Sequence, residues 1–345
     1  MTEKSKITPT SGINATSNLL PQGLVRGLTS HKALQRPKIV FFGNERIATG
    51  ATTTTPVLKM LRGEGYDIAM IIASDSGTRS RKNRELEVET FAREHSIPFY
   101  TPRNLSEIQN EIAASGAPIG VLVAYGHMVP ESIISLFPLG IVNIHPSALP
   151  LHRGSIPLEA AMLAGETETA VSLMSLVRAM DAGPVYAQTP VTLTGSETKQ
   201  TLADHLLEIG AETLRTVLPK ILSGECVALP QDDSTATYDE RIDKADGVLD
   251  FTKSATQLER EVRAYAGWPG SRTVIAGKDV VVTNAHESRV SSLESREAGV
   301  VFGDGKQLCI QSSDGVLVID SLKPAGKPDM PAAAFLAGYG SLLDA

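Results

Sequence analysis

Apolar positions along the chain fall into two textures. From residue 38 to 145, short unbroken apolar runs alternate with stretches of helical spacing. KIVFFG (38–43), DIAMIIAS (67–74), APIGVLVAYG (117–126) and GIVNIH (140–145) read as strands buried on both faces, and IPFYTP (97–102) as an extended piece. Between them, PVLKMLRGEG (56–65), ELEVETFAREHS (85–96) and LSEIQNEIAASG (105–116) carry apolar residues three and four apart, which predicts helices. Strands alternating with helices are βαβ units, so the pattern predicts a twisted parallel sheet flanked by helices. Further on, IPLEAAMLAGE (156–166) and KQTLADHLLEIGAETLRTVLPKIL (199–222) have helical spacing, while residues 170–193 read as two strands joined through Asp-Ala-Gly-Pro. Beyond residue 240 the texture turns to short alternating strands. A helix over 254–267 leads into SRTVIAGKDVVVTNA and VVFGDGKQLCIQ, where Ala-Gly-Lys-Asp and Gly-Asp-Gly-Lys read as hairpin turns, and GVLVIDSL follows. Short strands with tight turns predict a small β-barrel.

These textures divide the chain. Residues 37–222 form an α/β domain, 223–240 (polar, with a Pro) a linker, and 241–345 a small β domain. Residues 1–36 stand apart: rich in Ser and Thr, with five Lys or Arg against one Glu, and with no apolar core segment for secretion. That composition predicts a disordered N-terminal extension, with an organelle transit segment as the alternative. At 42% hydrophobic residues the 345-residue chain has ample material for a core. Only two cysteines occur, Cys226 and Cys309, far apart, which excludes a disulfide framework and a cysteine-based metal site. No apolar run is long enough to cross a bilayer, so the expectation is a cytoplasmic protein with no membrane partner, or a mitochondrial or other organellar one if 1–36 is a transit segment. A net charge of −7 argues against a protein that coats nucleic acid, although it leaves room for a local basic patch.

Candidate chemistry gathers after the fourth apolar run. Asn143 and His145 share one face of GIVNIH, because strand side chains alternate, and both project at the carboxyl edge where open α/β sheets bind ligands. A carboxamide offers a neutral donor, and an imidazole a donor that can carry charge near neutral pH. The pair suits a carbonyl oxygen that becomes negative during nucleophilic attack. Asp181, in MDAG, is a carboxylate able to orient that imidazole; read locally, it is equally a turn former. No His/Cys cluster suggests a metal.

In this order and spacing NIHPSALPLHRGSIP, GETETAVSLM and MDAGPV resemble the folate-dependent formyltransferases. The resemblance implies a Rossmann-like, mostly parallel sheet and a formyl group taken from 10-formyltetrahydrofolate, with no metal. It also implies a catalytic trio that falls on Asn143, His145 and Asp181. The loop next to the folate falls on Ser147, Ala148, Leu149 and Pro150, with Ala148 standing where the family has Leu. VLVAYGHMVP (121–130) resembles a segment near the folate in the methionyl-tRNA enzymes of that family, which adds Tyr125 and Gly126.

Two features bear on the formyl acceptor. Arg79, Arg81, Lys82 and Arg84 crowd SDSGTRSRKNRELE (74–87), and the methionyl-tRNA enzymes carry a basic loop there that reaches the acceptor end of the tRNA. Residues 236–271, which include Trp268 and Pro269, resemble the second domain of those enzymes, a barrel like an oligonucleotide-binding fold that contacts tRNA. GNERIATG (43–50) departs from the family pattern, with only Gly43 and Ala48 aligning. The resemblance therefore implies a monomeric transferase acting on the α-amine of methionyl-initiator tRNA. An amino-sugar nucleotide formyltransferase is the enzyme alternative, and an RNA-binding protein on a decayed scaffold the non-enzyme one.

Overall fold

The alternating apolar runs assemble into one seven-stranded sheet. The computed structural model describes residues 37–43, 51, 55–74, 87–288 and 296–343. In the first lobe, chain order is β1 (Lys38–Gly43), α1 (Pro56–Gly63), β2 (Asp67–Ile72), α2 (Glu87–Glu94), β3 (Phe99–Tyr100), α3 (Gln109–Ala114), β4 (Ile119–Val123), α4 (Glu131–Ile134), β5 (Ile141–His145), α5 (Pro157–Ala164), β6 (Glu168–Ser175), β7 (Val185–Thr192) and α6 (Lys199–Leu222). The sheet runs β3-β2-β1-β4-β5-β6-β7. It is parallel from β3 to β5 and antiparallel from β5 to β7.

Strand β1 shows why its run is uniformly apolar. Ile39 and Phe41 enter the core on one face, Val40 and Phe42 the core on the other, and all four are buried. The helix predicted over 105–116 starts as a 3₁₀ turn, Leu105–Ile108, before α3; Asn104 caps that turn by accepting from the Ser106 N–H. Helix α6 matches its predicted span. Thr198 opens it with a capping box to Thr201, and Leu206, Leu214 and Leu218 bury its inner face. The short α4 carries too few residues for a periodic signal.

The second lobe comprises α7 (Ala255–Ala264), β8 (Ser271–Ile275), β9 (Lys278–Ser288), β10 (Val301–Asp304), β11 (Gln307–Gln311), β12 (Val316–Pro324), β13 (Met330–Pro331) and α8 (Ala332–Tyr339). All its strand pairs are antiparallel, in the order β10-β11-β12-β9-β8, with β13 added on β12. The expected small barrel is this curled sheet, closed over Leu258 and Val262 of α7 and Phe335 of α8. Ala276 and Gly277 both take positive φ between β8 and β9, as a two-residue hairpin turn requires.

The two lobes are joined by charged side chains that donate to carbonyls across the junction. Lys199, 2% exposed, lies 3.6 Å from Glu159, which is fully buried, and donates to the Trp268 carbonyl at 2.9 Å. Arg263 of α7 donates to the Glu197 carbonyl at 2.9 Å. The Trp-Pro pair of the resemblance thus sits at the lobe junction.

Residues 223–240 do more than connect. Leu229 and Val185 exchange backbone hydrogen bonds at 2.8 and 2.9 Å, and Tyr238 forms a bridge with Arg153. This stretch is a strap across the loop that follows β5. Among the described residues no helix is long and apolar enough to cross a membrane.

Candidate active site

Strand β5 ends where the sheet changes from parallel to antiparallel, and its carboxyl end opens on a cavity of about 290 Å³. Asn143, His145 and Asp181, some 38 residues apart at the extremes, all line it. Its walls are otherwise largely apolar, among them Leu122, Val129, Leu158 and Leu207, with Met128 and Met180 exposed near Tyr125 and Asp181 in the chain.

Each member of the trio is held differently. Asn143 is 7% exposed, and no hydrogen bond to its carboxamide occurs among the described residues, so its donors remain available to the cavity. The His145 ring is buried, with Nε2 3.0 Å from the His152 carbonyl oxygen. A carbonyl only accepts, so Nε2 carries the proton and Nδ1 is the nitrogen left for chemistry. Asp181 Oδ1 stands 3.7 Å from that Nδ1, within ion-pair range but longer than a hydrogen bond. The other oxygen, Oδ2, accepts from the Gly154 N–H at 2.9 Å. The backbone carbonyl of His152, not the carboxylate expected from sequence, makes the direct hydrogen bond that orients His145.

Asp181 is itself in an uncommon backbone conformation, with φ of 47°. Two glycines make its position possible. At Gly183 a Cβ would lie 1.8 Å from the Ser175 carbonyl oxygen, so only glycine lets the loop close that tightly onto β6. Gly154, at φ of 123°, turns its N–H to the carboxylate, and a Cβ there would meet the Asp239 carbonyl oxygen at 3.1 Å.

The other candidates divide. Tyr125 and Gly126 line the cavity. Burial pushes the Tyr125 hydroxyl up to about 12, so it stays neutral at any working pH. Ser147, Ala148, Leu149 and Pro150 do not line the cavity; hydrogen bonds tie this turn to itself and to β6 and β7. The Ser147 hydroxyl donates to the Leu151 carbonyl at 2.7 Å, the Ser172 hydroxyl donates to the Ser147 carbonyl at 2.7 Å, and Gln188 donates to the Leu149 carbonyl at 2.9 Å. Arg79, Arg81, Lys82 and Arg84 lie outside the described residues, as do residues 44–50.

Sequence reasoning missed the hardware behind the trio. Arg153 is 1% exposed and is consumed by the strap: it donates to Gln231 through Nε and Nη2, to the Tyr238 hydroxyl and to Asp233. Gln231 in turn donates to the carbonyls of Asp181 and Gly183, both at 2.7 Å. The sequence signal for this network is Arg153 itself, next to His152 at the end of the loop SALPLHRG.

A two-lobed chain with a trio of this kind at the switch in its sheet is the architecture of a formyl transferase. The formyl transferase family model matches residues 38–218 and the model of the formyl transferase C-terminal domain matches residues 241–340. The chain therefore belongs to the formyltransferase family. Among its relatives, a methionyl-tRNA formyltransferase of Chloroflexus aurantiacus is 35% identical over 309 residues, covering 87% of this chain and 96% of that protein. One from Listeria monocytogenes is 32% identical, covering 88% and 96%. Among solved structures, HypX from Aquifex aeolicus superposes with a TM-score of 0.63 at 16% identity, covering 89% of this chain, which spans about half (49%) of HypX. WlaRD, a sugar 3N-formyl transferase, superposes at 0.61 with 18% identity, covering 85% of this chain and 99% of that one. These last two likenesses speak to the fold.

Proposed function

We propose that the chain transfers the formyl group of 10-formyltetrahydrofolate to the α-amine of methionyl-initiator tRNA, giving N-formylmethionyl-tRNA for the start of protein synthesis. The relatives at 32–35% identity over nearly their whole length support the acceptor. The observation that carries the chemistry is the meeting of Asn143, His145 and Asp181 in one cavity.

An α-amine titrates at about 7.7–8.0, so a useful share is already neutral and nucleophilic at working pH. The difficult species is the tetrahedral intermediate. The amine nitrogen bonds to the formyl carbon and the carbonyl oxygen becomes an oxyanion. The unspent Asn143 donor and a protonated His145 Nδ1 face that charge, in a pocket with largely apolar walls that strengthen both interactions. Asp181 then takes the proton shed by the amine, directly or through a water, and returns it to the folate nitrogen as the carbon–nitrogen bond to the donor breaks. Tyr125 and Gly126 serve the folate side of the cavity, backed by the turn Ser147, Ala148, Leu149 and Pro150.

The domain assignment follows the same reading: residues 37–222 catalyse, 223–240 strap the site, and 241–345 contact tRNA. The loop carrying Arg79, Arg81, Lys82 and Arg84 holds the phosphates of the acceptor end. The enzyme works in the cytoplasm as a monomer.

Supplying the donor with either charged initiator tRNA or an amino-sugar nucleotide tests the acceptor. Formyl transfer to the tRNA alone is expected. Transfer to the sugar alone would replace this reading, and transfer to neither would remove it.

A further inference from the structure

The His145 ring is fixed by a backbone carbonyl, so whatever fixes that carbonyl fixes the ring. The carbonyl belongs to His152, whose φ of 58° places it in the left-handed region that non-glycine residues seldom occupy. Three bonds hold it there. Its N–H donates to Thr237 Oγ1 at 2.7 Å. Ring atom Nδ1 lies 2.9 Å from Asp239 Oδ2, and Nε2 lies 2.8 Å from Glu166 Oε1. Ionised carboxylates only accept, so both ring nitrogens carry protons and the side chain is an imidazolium between two anions.

We propose that His152 is a positioning residue for formyl transfer: a cation clamped between Glu166 and Asp239 whose backbone carbonyl sets the tautomer and the tilt of His145. This rests on His145 acting in the reaction as described above. The clamp ties three separate parts of the fold to one atom: the turn after α5, the strap, and the loop following β5. Its position fits the role, because the ring is buried and reaches no reacting group, while its carbonyl touches the one side chain that must be oriented.

The charged groups around the clamp are few. Glu166 faces the ring from the turn after α5 and Asp239 from the strap. His145 lies across the carbonyl, and Asp181 is tied to the same loop through the Gly154 N–H. Arg153, next in the chain, is engaged with Gln231, Asp233 and Tyr238. Burial works against a charged ring at His152, but hydrogen bonds and charge from Glu166 and Asp239 more than offset it, and its pKa is raised.

Nitrogen-15 NMR of the histidine rings in the full chain, alongside steady-state rates, tests this. In the unaltered protein, His152 is expected to be doubly protonated and the His145 Nε2 proton to sit in its hydrogen bond to the His152 carbonyl. Glu166→Gln and Asp239→Asn each keep an acceptor oxygen and remove one charge, and His152→Phe removes the clamp. In these variants the His145 Nε2 proton is expected to lose that hydrogen bond and to exchange faster with solvent. Turnover is expected to fall about 10–100-fold, with KM for both substrates within about twofold, as for a misplaced catalytic group. A His145 Nε2 proton that keeps its hydrogen bond and its exchange rate when the clamp is broken overturns the proposal, whatever happens to the rate. Should His152→Phe fail to fold, the two amide variants still decide. Because the NMR result needs no turnover, absence of formyl transfer by the unaltered protein would strike the proposed function and leave this reading of His152 separately testable.

Discussion

Asn143 combines two properties that rarely coexist in a core position: near-complete burial and an unspent donor. Its carboxamide opens on the cavity and bonds to no described residue, so removing it strands no partner. Asn143→Ala is therefore expected to leave thermal stability unchanged or slightly raised, while turnover falls roughly 10²–10³-fold, the loss of about 2.7–4 kcal/mol of oxyanion stabilisation. A melting curve beside a rate assay checks both halves, and a parallel loss of stability and rate would assign Asn143 to packing. His152 makes a prediction in pH. Its folded pKa is raised above an ordinary value of about 6.5, so its contribution to stability is complete below that value and is lost as pH rises through the folded pKa. Denaturation midpoints should fall on the alkaline side, and Glu166→Gln should bring that fall to lower pH. Asn143 and His145 were legible in sequence because period-two alternation at a strand's carboxyl end places them on one face. His152 was not, since its partners lie 14, 85 and 87 residues away and no periodicity marks them.

Elements follow the apolar pattern closely where the pattern is long. Helix α6 and the strands of the first sheet coincide with their predicted runs, since burial of whole faces is what the pattern encodes. The strap has no such face. Residues 223–240 are polar and include a Pro, so they read as a linker, and what binds them is a set of individual bonds. Arg153 carries most of these, bridging three side chains with one planar fork. Arg153→Ala should cost about 2 kcal/mol or more in chemical denaturation, by losing the buried, packed stem and the hydrogen bonds that tie the strap to it. Lysine at this position should restore little, because a point charge cannot reach Gln231, Asp233 and Tyr238 together. Full rescue by lysine would mean that charge alone matters there. C-terminal helix α8 escaped sequence reading because PAAAFLAGY has too little polar surface to show a helical stripe.

The whole molecule couples its lobes through charged side chains that donate to carbonyls across the junction, Lys199 to Trp268 and Arg263 to Glu197. Lys199→Met removes the cation facing Glu159 and the donor to Trp268, and disrupting such a pair typically costs about 3–5 kcal/mol. A lower denaturation midpoint is the expected result; an unchanged transition would place the coupling in the packing of α5 on α7 instead. Binding of tRNA belongs to the same scale. Replacing Arg81, Lys82 and Arg84 by Ala should weaken affinity and lower the salt slope by about 0.7–0.9 for each phosphate the protein no longer neutralises. Affinity unchanged across salt would leave that loop out of the interface. The lobes were legible as two textures of apolar alternation, whereas their junction rests on Lys199 and Arg263, which look like surface residues in sequence. The central claim is that three side chains converge to pass a formyl group to an amine. Single-turnover formation of formylmethionine on initiator tRNA, with saturating donor and with Asn143→Ala as the comparison, tests it most directly. The account predicts product with the unaltered chain and a rate constant at least about 10² lower in the variant; equal rate constants, or no formylmethionine at all, would contradict it.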